Sequence, residues 1–219
     1  MGIGEILSDW KDVFFDPENA IPKAAKTASI TDALLSNVLT YAVSGLPIGF
    51  LILIAGLFSG KGGAIMMLVG LLVGGAFLLA LGVIFFLLFT FILHTVSRLF
   101  GGNGSYAATA YAWSVSFPVV MAILIAAQLL YFSAVLLMPF GLVLLVVALP
   151  LLFFSSIYLQ VLGIVTIKEV HGLSYLRSAL AYTVALSAVI ALLAVVALVF
   201  FFSAIIGMLG RVTSRPPVF

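Results

Sequence analysis

The chain has 219 residues, of which 65% are hydrophobic and 7% charged. A soluble domain is about half apolar and about a quarter charged, so this composition excludes an ordinary water-soluble fold and makes lipid the fitting solvent. The net charge of +2 is split, with residues 1–32 at −3 and the remainder at +5, and there is no basic stripe of the kind nucleic acid requires.

Cysteine is absent, which removes disulfides, thiolate nucleophiles and Cys-ligated metals. The acidic start lacks the basic n-region of a signal peptide.

Residues 1–15 are too short and too charged to span. Ile3, Ile6, Leu7, Trp10, Val13 and Phe14 recur at helical spacing, with Glu5, Asp9, Lys11 and Asp12 on the other side. This predicts an amphipathic helix that either lies in the membrane interface or packs on the protein's own bundle. Its acidic face argues against charge-driven binding to anionic lipid. Asp16-Pro17 ends it and starts a second short helix, to about Thr27. Ser29 and Asp32, three apart, form a variant of the capping box before the first long apolar run.

Five runs follow that are long enough to cross a bilayer, at about 33–58, 64–91, 106–131, 140–167 and 175–208. Gly45 with Gly49, and Gly70 with Gly74, are GxxxG pairs, and Ser178, Ala181, Ala185 and Ala188 form a small-residue stripe; both patterns predict close helix packing. From Ala64 to Leu99 a continuous helix is about 54 Å long at 1.5 Å per residue, against about 30 Å of hydrocarbon. The end bearing His94 and Arg98 therefore projects beyond the membrane. Gln128 is predicted to be a buried polar group, and Gln160 a second polar side chain in a span. The expected fold is an all-α polytopic bundle. It has a cytoplasmic amphipathic segment at 1–32, a five-helix membrane domain at 33–210 and a short tail at 211–219.

With the N-terminus inside, inner segments hold Lys11, Lys23, Lys26, Arg98, Lys168 and Arg177, and outer segments hold Lys61, Arg211 and Arg215. The positive-inside rule then places the N-terminus in the cytoplasm and the C-terminus outside.

The stretch His94–Pro118, HTVSRLFGGNGSYAATAYAWSVSFP, concentrates the polar chemistry. Gly101, Gly102, Asn103 and Gly104 end one helix and Ser105 caps the next. Backbone N–H groups at a helix start, with Arg98 nearby, can seat a phosphate. Lys168 and His171 of the next inner loop could complete a headgroup site. A plain tight turn is the simpler account. The P-loop lysine is missing, as are HExxH and any Ser-His-Asp or paired-carboxylate set. His94 and His171 alone are too few for a metal site. No carboxylate lies within the spans, which argues against ion-coupled transport. No catalytic residue, metal or cofactor is assigned.

Three pieces together resemble the Yip domain family, the Ypt/Rab-interacting membrane proteins, in a short prokaryotic form. They are WKDVFFDP at Trp10–Pro17, the His94–Pro118 stretch, and KEVHGLS at Lys168–Ser174. The resemblance implies a five-helix bundle with a cytoplasmic N-terminus and a non-enzymatic adaptor or membrane-organising role. The partners it implies are the bilayer, anionic lipid, another membrane protein or a second copy of the chain. About 32 residues precede the first span, whereas Rab-binding relatives carry long cytosolic regions there. The runner-up is a small transporter or channel subunit for an uncharged or lipidic solute.

Overall fold

The computed structural model describes residues 1–58, 63–136 and 141–213. Among these the protein is wholly helical: α1 (Ile3–Phe15), α2 (Pro17–Lys26), α3 (Ile30–Phe58), α4 (Gly63–Leu99), α5 (Tyr106–Leu136), α6 (Leu142–His171) and α7 (Tyr175–Thr213). Residues 59–62, between the first two expected spans, and 137–140 lie outside the described residues, as do those from 214.

Among the described residues four helical segments are long and apolar enough to cross a membrane, Ile65–Leu99, Tyr106–Tyr131, Leu142–His171 and Tyr175–Ser203. α3, the first expected span, is a helix of 29 residues; side chains in much of its second half lie outside the described set. Helix ends differ from expectation. α5 continues to Leu136, since 132–136 hold no Gly or Pro to stop it, and α6 continues through Lys168, Glu169 and Val170 to His171, where Gly172 ends it. α7 continues to Thr213, five residues beyond the expected end at Met208.

The core is gathered at one end. Phe86, Phe89 and Leu93 of α4, Tyr111, Trp113 and Val120 of α5, Leu162 and Ile167 of α6, and Tyr182 of α7 belong to one buried cluster. Toward the other end α7 is exposed at every residue from 190 to 203. A lipid-facing helix needs no partner there, since its backbone is satisfied internally.

α1 and α2 lie across the packed end. Ile6 and Val13 of α1 are buried and Trp10 packs on the core, whereas Ile3, Leu7 and Phe14 remain exposed. The Trp10 indole N–H donates to Ser36 Oγ at 2.9 Å, and the Ser36 hydroxyl donates to the Ser114 carbonyl at 2.9 Å. Asp9, on the polar side of α1, accepts the Tyr111 hydroxyl at 2.7 Å.

Ser29 and Asp32 form the expected cap. The Asp32 N–H donates to Ser29 Oγ at 3.0 Å, and the Ser29 hydroxyl donates to Asp32 Oδ2 at 2.6 Å. The N-terminal ammonium donates to Oδ1 at 2.9 Å. That ammonium, then the Ser29 hydroxyl, hold the Asp32 carboxyl below its ordinary range. A depressed folded value means the charged form stabilises the fold above the unfolded carboxyl's pKa of about 4. This contribution is lost as pH falls through the folded value. Asp32→Ala is expected to cost about 1 kcal/mol at neutral pH, and progressively less in acid. Thermal melts in detergent across a pH series check this; a cost independent of pH would remove the ionised cap.

Candidate functional site

The α4–α5 turn sits on the end of α6. Gly101 adopts φ +92° and Gly172, which ends α6, φ +66°, both in the left-handed region that favours glycine. The Gly102 N–H donates to the Ser97 carbonyl at 3.0 Å, and the Asn103 N–H donates across to the His171 carbonyl at 3.1 Å. Gly102 and Gly104 are buried against the His171 side. A Cβ at Gly102 would lie 2.7 Å from His171 Cβ, and one at Gly104 2.6 Å from the Val170 carbonyl oxygen. The glycines are there because no side chain fits between the turn and α6.

Ser105 caps α5 as expected, its Oγ accepting the Ala108 N–H at 3.1 Å. One turn on, Thr109 Oγ1 donates to the Ser105 carbonyl at 2.9 Å. The same oxygen lies 2.9 Å from His171 Nε2 and 3.5 Å from His94 Nδ1. The two imidazole centroids are 5.4 Å apart. With the Thr109 proton on the carbonyl, His171 Nε2 is the donor and its Nδ1 a bare acceptor. Nδ1 has no hydrogen-bond partner among the described residues, and His171 is only 1% exposed. Arg98 and His94 both add positive potential at this ring. Two imidazoles and a hydroxyl fall short of a closed metal site, and no third His, Asp or Glu joins them among the described residues.

The proposed headgroup residues are thus divided. Gly102, Gly104 and His171 come together but are buried, whereas Arg98, Gly101, Asn103 and Ser105 are exposed. Lys168 is not free for an anion. It is bonded to Glu169, lies 4.0 Å from Glu18 of α2 and sits 4.4 Å above the Tyr175 ring. Tyr175 also bonds Glu18. α2, the end of α6 and the start of α7 are thereby tied together. The Thr109 link between the histidines and the Asp9–Tyr111 bond were not legible locally, because each joins residues 15 to 102 positions apart.

The glycine pairs behave differently from their motif. Gly49 would bring a Cβ 3.4 Å from Leu71, but Gly45, Gly70 and Gly74 face open space. They line a cavity of about 930 Å³ between α3, α4 and α5, which Gln128 also lines. Gln128 and Gln160 are exposed rather than buried in a helix contact. The close contacts are made elsewhere, by an aromatic ring set against a glycine. A Cβ on Gly82 would lie 2.7 Å from the Tyr41 ring, and one on Gly163 2.2 Å from the Tyr182 ring. Ala181 and Ala185 are fully buried, as the small-residue stripe predicts, but Ala188 is exposed.

The chain matches no protein-family model, no curated protein and no solved structure.

Proposed function

We propose that the protein is a non-enzymatic five-span membrane protein, an adaptor of the Yip type that organises membrane partners from its cytoplasmic end. The observation that carries this is the gathering of α1, α2, the α4–α5 turn and the α6–α7 turn at one end of the bundle. Asn103–His171, Lys168–Glu18 and Asp9–Tyr111 hold them there. Such cross-links make a fixed platform, while the apolar flanks of α4, α6 and α7 stay open to lipid or partner helices. The basic asymmetry supports a cytoplasmic location for the platform. The rim residues Arg98, Asn103 and Ser105 are exposed on it and available to an acidic partner.

A second reading, passage of an uncharged or lipidic solute, draws on the cavity of about 930 Å³ beside Gln128. One experiment separates the two. Cysteines at Lys23, Asn103 and Lys61 report sidedness, and a photo-crosslinking residue at Asn103 or Lys23 reports contacts in native membranes. The adaptor reading expects Lys23 and Asn103 labelled from the cytoplasm, Lys61 from outside, and a discrete membrane-protein crosslink. It fails if Lys23 and Lys61 label from one side, or if no crosslink forms and proteoliposomes pass a neutral solute.

A further inference from the structure

A second cavity, about 730 Å³, lies beneath α1, with Trp10, Lys11 and Phe14 at its rim. Its floor follows α5 from Pro118 to Ala126, about 12 Å at 1.5 Å per residue. The walls are apolar apart from the hydroxyls of Thr40 and Ser44. Thr40 already donates to the Ser36 carbonyl at 2.8 Å.

Lys11 is the one basic residue of α1. It is exposed and makes no ion pair or hydrogen bond among the described residues. The acids around it are turned to partners of their own. Glu5 accepts the Gly2 N–H, Asp9 the Tyr111 hydroxyl and Asp16 the Asn19 amide. Asp12 is next in sequence but about 100° away around the helix. Although α1 is acidic overall, which argues against binding by net charge, its one ammonium is unpaired among the described residues and stands with Trp10 at the edge of an apolar pocket.

We propose that this pocket takes one acyl chain of an anionic phospholipid, with Lys11 against the phosphate. Within a bilayer there is no hydrophobic gain in exchanging lipid for an apolar protein wall. Selection among lipids must then come from the headgroup, which is where Lys11 stands. This places the lipid at α1, apart from the α4–α5 turn, and it rests on the membrane placement proposed above. Labelling of Lys23 and Lys61 from one side would remove that placement and is read separately.

The test uses the full chain in nanodiscs of equimolar phosphatidylglycerol and phosphatidylcholine, with retained lipid identified by native mass spectrometry. Wild type is expected to retain phosphatidylglycerol in preference. Lys11→Gln should lower that retention about fivefold, the worth of one basic group at a membrane surface, and lower phosphatidylcholine retention less, because its choline already offsets the phosphate charge. Ala126→Phe fills the floor and should abolish retention of both. If it does not fold, by thermal melting, Lys11→Gln alone decides. Equal retention of the two lipids by wild type, or wild-type retention by Lys11→Gln, overturns the proposal. So does loss on Arg98→Gln instead, which would move the lipid to the α4–α5 turn. A second copy of the chain retained in place of lipid also overturns it.

Discussion

Gly102→Val is expected to cost about 3 kcal/mol, the upper range for overpacking a close-fitted site. The added Cβ would meet His171 Cβ at 2.7 Å, His171 Nδ1 at 2.8 Å and the Ser97 carbonyl oxygen at 2.8 Å. None of these can yield cheaply. The Ser97 carbonyl accepts the Gly102 N–H itself, and His171 is held by Thr109 through Nε2 and by Asn103 through its carbonyl. Two neighbours calibrate the effect. Gly101 faces open space but has φ +92°, so Gly101→Ala should cost about 1 kcal/mol from the left-handed backbone alone. Asn103 has an exposed side chain, so Asn103→Ala should stay within about 0.5 kcal/mol. Thermal unfolding of the three variants in one detergent ranks them. If Gly102→Val proves no worse than Gly101→Ala, the turn is not seated on α6, and the platform loses its central contact.

That ordering marks how far the sequence could be read. GGNG announces a turn through local chemistry, and Ser105 announces a cap. Why Gly102 and Gly104 are glycine depends on His171, almost 70 residues away, and no local pattern carries that. The long helices were legible because about 20 apolar residues have few other uses. Their ends were less so, since 132–136 contain only Ser133 among apolar residues and no Gly or Pro to mark a stop. The Asp9 contact was out of reach for a physical reason. Helical periodicity sorts residues by side of a helix, but a flank such as Asp9's still meets a neighbour, and the Tyr111 hydroxyl reaches it. GxxxG misled for a related reason. The motif states that a helix surface is free of side chains, not that a neighbour fills it. Gly70 and Gly74 border a cavity, whereas Gly82 and Gly163, not singled out by any motif, receive tyrosine rings.

The α6–α7 contact should therefore behave as one unit, in which neither Gly163 nor Tyr182 can be valued alone. Tyr182 is 3% exposed. Its ring lies against Gly163 of α6 on one side, and 6.4 Å between centroids from Trp113 of α5 on another. Gly163→Val would drive a side chain into that ring, since even the first carbon falls 2.2 Å from Tyr182 Cε2. With the ring buried between Gly163 and Trp113, the expected cost is about 3 kcal/mol. Tyr182→Ala removes the ring and leaves a void that the helices only partly close, for about 3–4 kcal/mol. Combined, the valine occupies part of the space the ring vacated. The double variant should thus be less destabilised than the two costs added, by about 2 kcal/mol. Unfolding midpoints of wild type, both single variants and the double variant in one detergent close the cycle. Simple additivity would mean that α6 and α7 do not meet at this pair, and that the buried stripe of Ala181 and Ala185 owes its packing to α4 rather than α6.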